Sequence, residues 1–327
     1  MTKILQVQDI HVAFKTFGGE VKAVRGVSFD LYQGETLAIV GESGCGKSVT
    51  SQSIMRLIPE NTGRIHNGSI IFDGKDLTKL SDKAMRSIRG VDISMIFQDP
   101  MTALNPTLTI GSQMSEGIKH HKGISKQEAR QKALEMLKLV GIPSPEMRLK
   151  QYPHEFSGGM RQRIVIAMAL ICEPKVLIAD EPTTALDVTI QAQILDLFKA
   201  IQEKTGVSII LITHDLGVVA SVADRVAVMY GGKIVEVGDR RDIFYKPKHP
   251  YTQGLLNSVP RLDARDKDLT PIPGTPPDLF SPPTGCAFAA RCPHSMVVCE
   301  KVYPLRTSLS ELHHVDCWLL DERAQNR

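Results

Sequence analysis

The sequence predicts an α/β fold built on a parallel sheet. A short apolar strand, Thr36-Leu-Ala-Ile-Val40, runs into a glycine-rich loop and then into a helical segment over 48–57, which is how such a fold begins. Two more apolar strands, Val176-Leu-Ile-Ala179 and the run from Val207 to Thr213, follow a long helical stretch. Each stops at a polar residue, where open α/β sheets place their ligands.

The elements follow in order. Residues 3–40 read as strands, broken at Gly18-Gly19 and at Gln33-Gly34. Gln98 follows a strand-like segment over 93–97. Residues of about 100–165 read as mostly helical inserted structure. Within them Ser125-Lys-Gln-Glu128 is a capping box, in which the serine hydroxyl accepts from the backbone three residues on and the glutamate reaches back. Its helix turns Ala133, Leu134, Met136, Leu137 and Val140 inward and stops at Gly141, with Pro143 beyond. Residues 226–237 read as a hairpin around Gly231-Gly232. Six prolines lie between Pro271 and Gly285. That density excludes a helix interior or a central strand and reads as a linker or an extended wrap.

Bulk properties exclude some functions. The 327 residues are 42% hydrophobic and 23% charged, with a net charge of +3, which fits a globular chain with a sizeable core and is too mild for a dedicated nucleic-acid binder. The first residues lack the regions of a signal peptide. The longest apolar run, from Ile164 to Cys172, is far short of the roughly 18 residues of a membrane span. A cytosolic location is expected, with membrane association only through a partner.

Gly41-Glu-Ser-Gly-Cys-Gly-Lys-Ser48 fits the phosphate-binding pattern G-x-x-x-x-G-K-[ST] in its required strand-to-helix context. Glycines let successive N–H groups turn toward phosphate oxygens, and the helix offers its positive end. Lys47 supplies a point charge for the β- and γ-phosphates and Ser48 a hydroxyl for Mg²⁺. Cys45 fills a free position. The strand ending in Asp180-Glu181 presents two carboxylates, Asp180 for Mg²⁺ and Glu181 to polarise the attacking water. Phe156-Ser-Gly-Gly-Met160-Arg-Gln-Arg163 opens a helix and is either an ordinary serine/glycine cap or a second anion site that lacks its own anion. Gln98 and His214 each end a strand; taken singly, either is more often structural.

In this order the motifs resemble the nucleotide-binding subunit of an ABC transporter over roughly residues 4–240. The resemblance implies a P-loop ABC nucleotide-binding domain over 1–240, with an antiparallel β subdomain and a helical subdomain, followed by a small Cys-rich extension over 241–327. It implies that ATP is held by Gly41, Glu42, Ser43, Gly44, Cys45, Gly46, Lys47, Ser48 and Val49, with Phe17 on the adenine and Phe14 as the alternative. It places Mg²⁺ on Ser48, Gln98 and Asp180. Catalysis falls to Glu181, His214, Gln98 and Lys47. Asp187, in the loop Thr184-Ala-Leu-Asp187, is counted with the nucleotide site. Such subunits pair head-to-tail, so Ser157, Gly158 and Gly159 of one would close on the ATP of the other.

A narrower likeness is carried by Phe156-Ser-Gly-Gly-Met-Arg-Gln-Arg163, Asp99-Pro-Met-Thr-Ala-Leu-Asn-Pro106, His249-Pro-Tyr-Thr-Gln-Gly-Leu-Leu256 and Ile272-Pro-Gly-Thr-Pro-Pro277. These resemble the ATPase subunits of bacterial dipeptide/oligopeptide importers. The implied partners are a second ATPase subunit, often a different chain, two permease subunits and an extracellular substrate-binding protein, with the chain peripheral on the cytoplasmic face. The common signature has glutamine where Met160 stands, a thioether that hydrogen-bonds poorly; activity is expected to survive.

Cys286, Cys292, Cys299 and Cys317 have the spacing C-x5-C-x6-C-x17-C. Four thiolates can hold zinc or an iron–sulfur cluster, and the spacing lacks paired C-x2-C knuckles. The likeness of this tail to that of some peptide-importer subunits favours [4Fe–4S]. His294, His313 and His314 keep zinc open, and free thiols are the third reading. Two rival functions remain: a soluble ABC ATPase in translation or DNA repair, and an iron–sulfur redox sensor on an ATPase scaffold.

Overall fold

The structure, a computed structural model, describes residues 2–184, 186–258 and 270–325. Along the chain come β1 (Lys3–Thr16), β2 (Gly19–Tyr32), β3 (Thr36–Val40), α1 (Lys47–Ile54), β4 (Gly63–Phe72) and β5 (Lys75–Asp76). Then follow α2 (Asp82–Ile88), β6 (Ile93–Ile96), α3 (Pro100–Ala103), α4 (Ile110–Lys122), α5 (Lys126–Leu139), α6 (Pro145–Arg148) and α7 (Gly158–Leu170). After β7 (Val176–Asp180), α8 (Val188–Thr205) and β8 (Ser208–Thr213) come α9 (Leu216–Val222), β9 (Arg225–Tyr230), β10 (Lys233–Asp239), α10 (Arg240–Tyr245) and α11 (Pro250–Asn257). The chain closes with α12 (Val297–Lys301), β11 (Arg306–Ser308), β12 (His314–Asp316) and α13 (Glu322–Gln325). It divides into two compact units, one of residues 32–36 and 79–212 with the first residues, the other of 3–31, 37–78 and 213–327.

In the first unit β6, β7 and β8 run parallel, with Ile93 opposite Val176 and Asp180 opposite Ile212. Every residue of β7 and β8 is buried. Parallel strands covered on both faces need continuous apolar runs rather than alternation, and these sequences supply them. Between β6 and β7 the chain is helical. The capping box at Ser125 forms as its sequence requires: the hydroxyl accepts from Glu128 N and the Glu128 carboxylate accepts from Ser125 N. Ala129, Ala133 and Leu137 line the buried stripe of α5, while Leu134 and Met136 are half-buried.

In the second unit β1, β2, β4 and β5 form an antiparallel sheet in the order β2-β1-β4-β5. Beside it β3 lies parallel to β9, and β10 lies antiparallel to both β9 and β12. The β9–β10 turn places Gly231 at φ 53° and Gly232 at φ 79°, the two left-handed residues that a tight hairpin turn demands. The helix expected over 48–57 ends at Ile54; Met55 follows as its cap, and Arg56 takes a positive φ of 48°.

The proline-rich segment is a wrap. Leu279 O accepts from Lys22 N at 2.9 Å, and Pro283 O accepts from Arg25 Nη2 at 2.6 Å. Beyond it, Ala287 and Phe288 share one core with Val40, Val228, Tyr230 and Tyr251. Of the expected C-terminal segment, residues 259–269 and 326–327 lie outside the described residues, as does Ala185 of the loop before α8.

Candidate functional site

The phosphate loop belongs to the second unit. β3 is wholly buried and delivers the chain to Gly41. Gly44 and Gly46 take φ of 76° and 102°, a region that L side chains avoid. Space is closed as well. A Cβ on Gly46 would lie 2.4 Å from Ala23 O, and one on Gly41 would lie 2.1 Å from Met229 O. Gly46 caps α1, whose first residue is Lys47. The Lys47 side chain is buried, and its Nζ donates to Gly41 O at 2.9 Å and to Glu42 O at 3.1 Å. Ser43 and Gly44 form the exposed tip, and Ser48 and Val49 are half-buried. Cys45 is buried, its carbonyl accepts from Gly232 N, and burial pushes its thiol up. It props the loop.

Two further predicted residues lie in this unit. Phe17, at the β1–β2 turn, is fully exposed, whereas Phe14 packs at the position of Gly63. Of the two candidate rings, Phe17 is the exposed one. His214 is exposed just after β8, and the next residue, Asp215, caps α9 by accepting from Gly217 N and Val218 N.

The paired carboxylates belong to the first unit. Asp180 ends β7, 4% exposed. Glu181 turns sharply out of the strand with a φ of 48°, a left-handed conformation costing a non-glycine residue on the order of 1–3 kcal/mol and typical of functional sites. Its Oε2 accepts from Gln98 Nε2 and from Thr184 Oγ1, both at 3.0 Å. The structure thus brings together Gln98 and Glu181, two site residues 83 positions apart. Asp187 caps α8, accepting from Ile190 N at 2.9 Å.

The second glycine-led helix start is also in this unit. Ser157 caps α7 by accepting from Met160 N at 3.4 Å. Ser157 and Gly158 are exposed, and Gly158 has no atom within 4 Å of a Cβ position. Gly159 lies against Ile190.

Sequence reasoning missed a network on Glu42. The Arg291 guanidinium bridges it at 2.6 Å and 3.0 Å and also donates to Tyr230 Oη at 3.1 Å. Tyr251 Oη accepts from Glu42 N at 2.9 Å. No local signal marks Arg291, which is 249 positions away. Tyr251 was visible only as part of a tail motif.

Two of the tail cysteines meet through their backbone. Cys286 N donates to Cys299 O at 2.7 Å, and Gly285 admits that approach because a Cβ there would sit 2.1 Å from Cys299 O. Burial pushes the Cys286 thiol up to about 11 and the Cys317 thiol up to about 12, and the other three thiols each add to the rise at Cys317. Among the described residues, however, no group of three or more His, Cys, Asp or Glu side chains is arranged to hold a metal ion. Two of the three nearby histidines are engaged elsewhere. His313 Nε2 meets the buried Glu236 at 2.9 Å, and His314 Nδ1 meets Ser308 Oγ at 2.9 Å. Among the described residues no helix is long and apolar enough to cross a membrane.

Comparison with known proteins accounts for this set of motifs. The ABC transporter family model matches residues 24–184, and the model of the oligopeptide/dipeptide transporter C-terminal region matches residues 235–299. The chain is 71% identical to the dipeptide transport ATP-binding protein DppD of Bacillus subtilis, over 100% of this chain and 97% of that protein. It is 60% identical to the oligopeptide transport ATP-binding protein OppD of the same organism, over 98% and 90%. Among solved structures, the ATP-binding cassette MJ0796, in a dimeric post-hydrolysis state bound to ADP and phosphate, aligns with a TM-score of 0.65 at 27% identity, covering 72% of this chain and 99% of that one. The fold is the P-loop ABC ATPase fold, and the chain belongs to the ABC transporter family of ATP-hydrolysing subunits, in its dipeptide/oligopeptide ATP-binding branch.

Proposed function

We propose that this chain couples ATP binding and hydrolysis to the import of di- and oligopeptides, peripheral on the cytoplasmic face of a bacterial membrane. The observation that carries this reading is the 71% identity that runs from end to end, tail included, with a dipeptide transport ATP-binding protein. The soluble ABC ATPase and the redox sensor have no comparable support. In this reading residues 1–240 are the nucleotide-binding domain, 100–165 its helical subdomain, and 241–327 the C-terminal extension.

The roles are those that the family resemblance implies for each group. Gly41 to Val49 hold the phosphates through backbone N–H groups and Lys47, and Phe17 stacks on the adenine. Ser48, Gln98 and Asp180 offer oxygen donors only, the set that suits Mg²⁺; the ion, when bound, offsets charge on the β- and γ-phosphates. Glu181 takes the proton of the attacking water. Its hydrogen bonds to Gln98 and Thr184 aim the carboxylate. His214 senses the γ-phosphate, and Asp187 closes the loop beside the site. Ser157, Gly158 and Gly159 serve the ATP of a partner subunit, a homologous and different chain placed head-to-tail. Two permeases and an extracellular binding protein complete the machine.

Cys286, Cys292, Cys299 and Cys317 are proposed to hold a [4Fe–4S] cluster, with zinc as the alternative, on the spacing C-x5-C-x6-C-x17-C alone, since among the described residues no group of three or more such side chains is arranged to hold a metal ion. Such a cluster would cross-link the tail. An absorbance spectrum and an iron assay of anaerobically purified protein test it; a colourless, iron-free sample removes it.

Glu181→Gln tests the main reading. It keeps the shape and removes the base, so nucleotide binding stays while hydrolysis falls by about 10²–10⁴-fold. Normal turnover in that variant overturns the assignment.

A further inference from the structure

We propose that Arg291 is a positioning residue for the nucleotide, acting through Glu42. The proposal rests on residues 41–48 being the ATP cradle. Glu42 is the second residue of that loop, and each of its polar groups is held. Its N–H donates to Tyr251 Oη at 2.9 Å, its carbonyl accepts from Lys47 Nζ at 3.1 Å, and its carboxylate takes Arg291 bidentately at 2.6 Å and 3.0 Å. The same Lys47 must reach the phosphates, so the setting of Glu42 bears directly on the cation of the site.

Arg291 is built for holding. Its side chain is 5% exposed. Beyond the two bonds to Glu42, Nε donates to Pro273 O at 2.8 Å, Nη1 to Tyr230 Oη at 3.1 Å and Nη2 to Ile272 O at 3.3 Å. A guanidinium has five N–H donors, and all five have an acceptor here. The fork is locked from the proline-rich wrap and from β9, and it presents one rigid face to the loop. Lysine has neither the fork nor the fifth donor.

Charge gives the second part of the argument. Glu42 is 27% exposed, so its carboxylate is partly open to solvent in a loop that must accept several negative charges. Left alone, it would oppose them. Arg291 neutralises it in place. Removing Arg291 and removing the Glu42 charge therefore affect nucleotide binding differently, although each breaks the same ion pair and lowers stability.

The test uses the full-length chain and Mg-ADP, a ligand that is not turned over, titrated by calorimetry. Arg291→Ala is expected to weaken Kd about tenfold through an uncompensated carboxylate and a loosened loop. KM for ATP should rise in step, with the larger part of the loss in kcat/KM falling on KM, because Glu181, Gln98 and Lys47 are all retained. The double variant Arg291→Ala with Glu42→Gln should recover to within about threefold of the starting Kd, since the opposing charge is gone. A purely structural ion pair predicts the reverse: a lower Tm and a smaller active fraction with Kd unchanged, and no recovery in the double variant. Either a Kd within about twofold for folded Arg291→Ala or a double variant no tighter than the single overturns the proposal. Should Arg291→Ala not fold, Arg291→Met, which fills the space without the charge, carries the same expectation and the same refutation. Lys47→Ala is the control for the cradle: if it binds Mg-ADP like the starting protein, the reading of residues 41–48 fails, and with it the premise here.

Discussion

Two helices in this chain begin on a serine- or glycine-rich segment, and they are built in opposite ways. At α1 the glycines take left-handed φ values, 76° at Gly44 and 102° at Gly46, and backbone closes on two of the loop glycines, from Ala23 on Gly46 and from Met229 on Gly41. A buried lysine stands at the first helical position. At α7 the cap residue Ser157 is extended at φ −67° and ψ 163°, Gly158 faces open space, and Ser157 bonds its own helix. The first start is a finished concavity with its cation inside. The second is an exposed helix end led by two glycines, with no lysine or arginine before Arg161. The same local pattern thus yields a walled loop around a buried lysine in one place, proposed above as the anion cradle, and an exposed helix end in the other, proposed as half of a clamp. What separates them is whether backbone closes on the glycines: it does on Gly41 and Gly46, while Gly158 is open and Gly159 meets only the side chain of Ile190.

The largest effect that can break this comparison is at Lys47. Lys47→Ala removes the buried cation of the cradle and should lower hydrolysis by about 10²–10³-fold or more, the loss seen when one charge-stabilising donor is taken from a reacting centre. Steady-state ATPase rates check it. Gly46→Ala comes next. Its Cβ would meet Ala23 O at 2.4 Å in a residue already at φ 102°. The strain alone is worth about 1–3 kcal/mol, and relief of it must move the loop. A lower denaturation midpoint together with weakened Mg-ADP binding is expected. If Gly46→Ala binds nucleotide normally, the walled cradle is not what does the binding.

How much of this could be read from sequence depends on the range of each signal. The cradle, the capping box at Ser125 and the hairpin at Gly231-Gly232 were legible because their rules are local: a few residues fix φ, cap a helix or close a turn. Asp180-Glu181 was legible because a buried strand must end somewhere, and two carboxylates mark the end. The left-handed φ of Glu181 was not, since no composition rule asks a glutamate to adopt it. Nor was its bond to Gln98, whose two ends are joined only when β6 and β7 pair side by side. The tail was the least legible. Proline density allowed a linker or a wrap, and only the bonds from Lys22 and Arg25 to Leu279 and Pro283 choose the wrap. Four cysteines suggested a metal site. The structure joins Cys286 to Cys299 through the backbone but, among the described residues, arranges no group to hold a metal ion, and it commits His313 to Glu236, which takes one candidate zinc ligand out of reach.

Smaller effects sharpen the other half of the comparison. Ser157→Ala deletes the cap of α7 and should cost about 1 kcal/mol of stability, read as a modest fall in Tm, with Mg-ADP binding by the single chain unchanged.

Gly158→Ala is the mildest change and the most discriminating. No atom lies within 4 Å of the added Cβ, and Gly158 does not take a positive φ. Alanine is also the better helix former, so stability should hold or rise by about 0.5–1 kcal/mol. The isolated chain should bind Mg-ADP as before, because nothing in its own cradle has changed. In the assembled transporter the same methyl group would stand between the α7 N-terminus and the phosphates it is proposed to meet, so ATPase activity should fall while the subunit remains fully folded. A single-chain binding defect would mean that α7 serves the chain's own nucleotide and that the two helix starts are not two halves of different sites. Unchanged activity in the assembly would mean that α7 is an ordinary helix cap. Only the combination of a sound monomer and a silent assembly supports the division of labour drawn from the two glycine segments.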